Sequence, residues 1–381
     1  MGAYDIIIIG GGVIGCSIAY HLSLFNRFKI LLIERNGIAG GASGSCDGIL
    51  SLLSKKGGIQ LELAMESMLI LDNLSKSFPL DVEFRKIPGM IIIEDERYIP
   101  FMEKFVSEQR RTTNLRIDFL SAKETRGLEP LLSDRVVGAV RSTDNGQINP
   151  IRLTYAFFES ASSKGVEVRK GEEVLRIERI PSGFRVETSC GRYEAGLVVL
   201  SAGSWSPLLS ESLCLNLPIK PRRGQIIVTE PIERALNHTV LSSKYIVAKY
   251  NVETGKGEGL ALEQTHHGNF LIGATREFVG YDRRVTSSAL KRLAKTAVEA
   301  FPFLKELRVV RSFAGLRPWT PDGLPIIDII DGLILACGHE GDGICLSAIT
   351  GKLVSELVLY GRASFDISSL SLKRFKTSSA L

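Results

Sequence analysis

The chain has 381 residues, 44% of them hydrophobic, with 47 Lys and Arg against 42 Asp and Glu for a formal net charge of +5. That length supports a large core and two domains, and the cations fall in short pairs such as Lys55-Lys56 and Arg222-Arg223, which argues against a nucleic-acid stripe. Six cysteines (Cys16, Cys46, Cys190, Cys214, Cys337 and Cys345) show no C-x-x-C pair or metal-ligand spacing, which points to reduced thiols in a cytoplasmic protein, no metal, and no iron–sulfur cluster held by this chain.

The first predicted element is an apolar strand, Tyr4 to Ile9, running into Gly10-Gly11-Gly12-Val13-Ile14-Gly15. Its lack of a charged lead and its interruption by glycines suit a buried strand rather than a signal peptide. No stretch approaches the roughly 18 uninterrupted apolar residues that a membrane span requires. A second apolar strand, Lys29 to Ile33, ends in Glu34, so the opening is a strand, a glycine turn, a helix and a strand closed by an acid. In such a unit Gly10 permits the tight turn, Gly12 lets a pyrophosphate approach N–H groups at the helix N-terminus, and Gly15 lets the helix pack on the sheet. Glu34, about 20 residues on, stands where a carboxylate accepts ribose hydroxyls and disfavours a 2′-phosphate, which favours FAD or NAD over NADP.

Apolar residues at helical spacing predict an amphipathic helix over 60–77, and the segment 79–146 holds a strand at 89–93 and a helix around 100–112. Pro150 opens a helix through Ser163, followed by a strand at 166–168, a hairpin of 173–177 with 184–188, and a strand at 196–200 that ends in Ser201-Ala202-Gly203-Ser204-Trp205. Short strands dominate 219–313, with 224–228 and 269–273 the clearest and one helix over 287–301. An apolar strand at 333–337 then meets Gly338-His339-Glu340-Gly341-Asp342-Gly343, and an apolar helix over 344–360 follows. His266 and His267 read as surface or strand-edge residues.

Several motifs in order along the chain resemble the D-amino-acid oxidase superfamily of FAD-dependent oxidoreductases, and within it the glycine oxidase and sarcosine oxidase branch. They are the dinucleotide turn with Glu34-Arg35; Gly40-Gly41-Ala42-Ser43-Gly44 with Asp47-Gly48-Ile49; Gly146 to Pro150; Val174; Ser201 to Trp205; Gly224-Gln225; Ala314 to Pro318 with Thr320 to Pro325; and Gly338-His339 through Gly343-Ile344. The resemblance implies an α/β fold: a glutathione-reductase-type, Rossmann-like FAD domain with an inserted, mainly antiparallel substrate domain. The expected divisions are 1–80, 145–217 and 315–381 for FAD, and 81–144 and 218–314 for substrate.

The same resemblance implies a cofactor site of Gly10, Gly12, Val13, Ile14, Gly15, Glu34, Arg35, Ala42, Ser43, Val174, Ala202, Gly203 and Trp205. Asp47, Gly48, Ile49 and the run Gly338, His339, Glu340, Gly341, Asp342, Gly343 and Ile344 are expected along the isoalloxazine. Arg317 is the expected anchor for a substrate carboxylate, a task suited to a planar bidentate donor; the alternative is a structural pair with Asp322. His339 is the other catalytic candidate, with positioning as its expected role. Glycine oxidases carry a second arginine where this chain has Gly341, so the site is expected to hold the carboxylate with fewer charges or to admit a larger substrate. FAD is expected to be non-covalent, because tethering residues of sarcosine oxidases fall at Gly315 and near Ser45.

The segments around Ser45 to Gly48, Ser54 to Gly57 and Gly338 to Ile344 are similar to the small flavin subunits of hydroxyproline or proline dehydrogenases, opine oxidases and hydrogen cyanide synthases. This resemblance implies oxidation of a primary or secondary α-amino acid, an oligomer with a second flavin or iron–sulfur subunit, and a cytoplasmic location, peripheral to the inner membrane through such partners. The rivals are an oxidase that uses O2, a hydroxy-acid or glycerol-phosphate dehydrogenase, a flavin subunit with an assembly role, and a tRNA-modifying flavoenzyme, which the missing basic stripe disfavours.

Overall fold

The computed structural model describes residues 2–250 and 259–379. The opening run forms a strand, Gly2–Ile9, with Ile6 and Ile8 packed into one core and Ile7 and Ile9 into another. A strand apolar on both faces belongs inside a parallel sheet covered on both sides. It pairs in parallel with Ile30–Glu34 on one side and Arg192–Leu200 on the other, and Glu167–Lys170 adds beyond Ile30–Glu34. The Arg192–Leu200 strand splits its far edge. Its first residues pair antiparallel with Gly183–Thr188, the second arm of a hairpin with Val174–Ile180, and its last residues pair in parallel with Leu333–Cys337.

Helix Val13–Ser23 lies on this sheet, packed between helices Pro150–Ser162 and Ser347–Tyr360. Small residues set the distance: a Cβ on Gly351 would stand 2.3 Å from Ser17 Oγ, and that hydroxyl donates to the Ser347 carbonyl at 2.8 Å. Helix Pro150–Ser162 starts where the residue types require, with the Asn149 side chain accepting from the Ile151 and Arg152 N–H groups and Pro150 at its first position.

A second sheet of eight strands runs from Val309–Trp319 through Lys220–Pro231, Asn269–Gly273, Ala261–Gln264, Thr239–Ser242, Gly89–Ile93 and Gly138–Ser142 to Asp118–Ser121. Its pairings are antiparallel except for Thr239–Ser242 against Gly89–Ile93. Helix Ser287–Ala300 covers one face through Ala289, Leu293, Ala297 and Ala300. A three-stranded sheet of Ile49–Leu50, Gly146–Gln147 and Arg85–Lys86 joins the segments between. The fold is therefore mixed α/β, a Rossmann-like sheet beside a mainly antiparallel one.

Two departures from the sequence reading bear on the site. Ser243–Tyr250 is a helix where short strands were expected. Strand Val309–Trp319 pairs continuously with Lys220–Pro231 from Arg311 to Trp319. The last long helix begins at Ser347, not Ile344, since the preceding glycine-rich turns wrap the cavity described next. Among the described residues no helix is long and apolar enough to cross a membrane.

Candidate active site

A cavity of about 380 Å3 runs between the two sheets. At one end the turn after the first strand is shaped by backbone contact. Gly10 has φ +111°, and a Cβ there would stand 2.6 Å from the Ser201 carbonyl oxygen. A Cβ on Gly15 would stand 1.9 Å from the Gly10 carbonyl oxygen, so Gly15 seats the helix on the turn and does not itself line the cavity. Gly10, Gly12, Val13 and Ile14 line it, and the first turn of a helix leaves N–H groups without intrahelical partners. Ser43 Oγ accepts from the Val13 N–H at 2.9 Å.

Glu34 also lines the cavity. Its carboxylate accepts from the Gly11 N–H at 2.7 Å and the Asn36 N–H at 2.8 Å, which fixes it at the strand end with lone pairs to spare. Arg35 lies 3.9 Å over the Trp205 ring, which stacks on Tyr281, and Val174, Ala202 and Gly203 form the facing wall. Residues 42 and 43 line the middle. A Cβ on Gly12 would stand 3.3 Å from Ser43 Oγ, narrowing the cleft above the helix N-terminus. This end fits the diphosphate and adenosine of FAD: a shaped turn, exposed N–H groups, and an acid at the ribose position.

The other end is wider and charged. Asp47, Ile49, Gly338, His339, Glu340 and Gly341 line it together with Asp342, Gly343, Ile344 and Arg317. Gly48 does not. Its N–H donates to Glu263 Oε1 at 2.8 Å, and a Cβ on it would stand 1.9 Å from the Ile148 carbonyl oxygen, so its missing side chain allows this close packing between two lining residues. His339 Nε2 lies 3.1 Å from Thr350 Oγ1, and burial pushes its imidazole down to about 4. It is a neutral, tethered ring at neutral pH. The Cys46 thiol is pushed well above its ordinary value by burial and stays protonated.

Arg317 has its guanidinium over Gly224, where a Cβ would stand 2.2 Å from Nη1. Its hydrogen bond among the described residues is from Nη1 to the Thr275 carbonyl oxygen at 3.0 Å. The alternative partner, Asp322, is engaged by Arg374 at 2.7 Å.

Sequence reasoning missed the charges around this end. Arg222 and Arg276 both reach Glu340 Oε1, the latter at 3.4 Å. Arg276 also lies 4.4 Å over the ring of Tyr245, which lines the cavity. Lys55 and Lys249 both grip Asp342, at 2.9 and 3.0 Å, and Gln60 Nε2 donates to it at 2.8 Å. The two lysines hold the Asp342 carboxyl well below its usual range against the opposing effect of burial. Asp342 is thus an ion-cluster centre. Basic groups besides Arg317 therefore gather around this end, several of them behind the cavity wall. Lys249 and Tyr245 sit on the unanticipated helix Ser243–Tyr250.

Comparison with known proteins then decides the family. A family model described as "DAO: FAD dependent oxidoreductase" matches residues 5–357. The chain belongs to this family. The DAO-family chain is 29% identical to hydrogen cyanide synthase subunit HcnC of Pseudomonas aeruginosa, over 98% of this chain and 96% of that one. It is also 29% identical to glycine oxidase of Geobacillus kaustophilus, covering 97% of each. The crystal structure of glycine oxidase from Geobacillus kaustophilus superposes with a TM-score of 0.89 at 27% identity, covering 98% of this chain and 99% of the other. The protein is an FAD-dependent oxidoreductase.

Proposed function

We propose that the protein oxidises a small primary or secondary α-amino acid at the α-carbon to an imine. The observation that carries this reading is Arg317: a guanidinium fork lining the wide end of the cavity, hydrogen-bonded to one neutral carbonyl and, among the described residues, in no direct ion pair, with Asp47 as its neighbouring carboxyl. Such a fork suits a substrate carboxylate, worth roughly 1.5–3 kcal/mol for each charge-assisted hydrogen bond. The similarity to glycine oxidase and to HcnC supports the amine class.

FAD, held by the Gly10 to Glu34 end and the Gly338 to Ile344 wall, would supply the two-electron acceptor for the α-hydrogen and its electron pair. The chain's own residues bind and orient. Arg317 anchors the acid, and the cations of Arg276 and Lys55 nearby disfavour an ammonium, so the amine enters as the neutral base with its lone pair available. As the hydride leaves carbon with its electron pair, that lone pair forms the C=N bond and the second proton passes to solvent; water then gives the carbonyl product and ammonia or an amine. Gly338, Gly341 and Gly343 keep the ring-facing wall thin, and the neutral His339, tied to Thr350, packs it. Segments 1–80, 145–217 and 315–381 hold FAD in this reading, while 81–144 and 218–314 cover the substrate.

Electrons then pass to a partner redox centre or to O2. Similarity to a protein named as a synthase subunit favours a partner, a second flavin or iron–sulfur chain. The reading is tested by turnover with an artificial dye acceptor and glycine, sarcosine, alanine or either enantiomer of proline. One carbonyl product per two electrons from an amino acid supports it; turnover with lactate or glycerol 3-phosphate and with no amino acid overturns it.

A further inference from the structure

The charges at the wide end of the cavity do not balance, and the imbalance has a direction. Antiparallel pairing sets Arg222 opposite Arg317 in the Lys220–Pro231 and Val309–Trp319 strands. Like charges directly opposite destabilise a sheet unless an anion lies between or beside them. Arg276 joins them, and both Arg222 and Arg276 are 4% exposed. A single carboxylate, Glu340, serves Arg222 and Arg276, and it sits there on a left-handed backbone with φ +50°, rare for a non-glycine residue.

Glu340 does not satisfy the pair. Arg222 Nε and Arg276 Nη2 are buried with no hydrogen-bond partner among the described residues, and buried guanidinium N–H groups left unpaired are costly. Burial and the guanidiniums of Arg276 and Arg317 push Arg222 well below its ordinary value. The neighbouring groups add to the excess. Among the described residues Lys55 and Lys249 share one carboxylate, Asp342. Burial acts against charge of both kinds here, lowering Lys249 to about 7 and Arg222 to about 8 while raising Glu263 to about 7, so the excess of basic groups is small in number and is concentrated at the Arg222, Arg276 and Arg317 guanidiniums around Glu340.

We propose that Arg276, with Arg222 behind it, forms a second anion subsite beside Arg317, and that the substrate is an amino diacid. Its α-carboxylate takes Arg317, and its second acid group displaces Glu340, which lines the cavity beside Tyr245, from Arg276 and Arg222, which do not themselves line it and stand behind Glu340. The proposal rests on the amino-acid reading above and names the class of amino acid. Gly341 leaves room there, for a Cβ on it would only reach ordinary contact, 3.6 Å, with Arg317 Cδ and Nε.

Binding is measured first, without turnover, by the perturbation of the bound flavin's visible spectrum on titrating the holoprotein with malonate, succinate and glutarate against acetate, propionate and butyrate. The best diacid is expected to bind about 10- to 100-fold tighter than the best monoacid. Arg276→Gln should erase that ratio while leaving monoacid binding within about threefold, and Glu340→Gln should raise diacid affinity. Equal binding of mono- and diacids to the parent protein overturns the subsite whatever the variants do. Anaerobic flavin reduction by iminodiacetate against sarcosine then separates the two readings. Reduction favouring iminodiacetate supports the diacid. Reduction by sarcosine alone overturns the diacid and keeps the amino-acid reading. Tight diacid binding with no reduction by any amino acid keeps the subsite and overturns the amino-acid reading and the amino-diacid substrate with it.

Discussion

The two ends of the cavity are built by different physics. The end at Gly10, Gly12 and Glu34 is made of backbone: a strand, a turn and a helix N-terminus contiguous in sequence, packed so that a Cβ on Gly10 or Gly15 would stand 2.6 or 1.9 Å from a carbonyl oxygen. The wide end is made of side-chain charge gathered from residues 47, 55, 222, 249, 276, 317, 340 and 342, which lie on six separate segments of chain. The first tolerates almost no change of shape and little depends on its charge beyond Glu34. The second tolerates shape changes and is governed by which charges are paired.

That contrast predicts a graded set of responses. The largest belongs to Gly15→Ala, which places a methyl group 1.9 Å from the Gly10 carbonyl oxygen; the helix must move off the turn, and the purified protein should be colourless or fail to fold. Retention of full FAD content by that variant would show that the turn does not hold the cofactor. Next comes Arg317→Met, which should keep its yellow colour and lose about 10²- to 10³-fold in kcat/KM for an amino acid, the cost of two charge-assisted hydrogen bonds. A loss confined to FAD content would instead assign Arg317 a structural role.

Smaller effects sharpen the same division. Glu34→Gln exchanges a charged acceptor of two backbone N–H groups for a neutral one and should weaken FAD binding about tenfold without altering the reduction rate of the flavin that remains bound. The smallest effect is on pH dependence at the charged end. Burial and the adjacent Asp47 push the Glu263 carboxyl up to about 7. Its folded value lies above its unfolded one, so its favourable contribution is complete below the ordinary carboxylate range and is lost as pH rises through about 7. Glu263→Gln should therefore gain about 2–4 °C in Tm relative to the parent between pH 5 and pH 8.5; parallel Tm profiles would mean that Glu263 is already ionised at low pH.

The contrast also explains what could be read from the chain. Gly10 to Gly15 and Glu34 announce their geometry because every contact involved is local, and the strands at 89–93, 269–273 and 333–337 fall where their apolar runs predict. The close packing of Gly48 on the Ile148 carbonyl could not be read from its motif, because that neighbour lies far along the chain. Arg222, Arg276 and Lys55 were invisible as a group, since only the register of two strands and a turn after a third brings the arginines to Glu340. Helix Ser243–Tyr250 was missed because Ile246, Val247 and Tyr250 favour strands locally, while its placement is decided by the burial of Ile246 and Lys249.

The account stands or falls on whether this cavity delivers electrons from an amine to FAD. The decisive measurement is an anaerobic visible-absorbance titration of the purified holoprotein with glycine, sarcosine, both enantiomers of proline, aspartate and iminodiacetate, with lactate and glycerol 3-phosphate as controls. The account predicts bleaching of the flavin band by at least one amino acid and by neither control; bleaching by a control with all amino acids inert would contradict it.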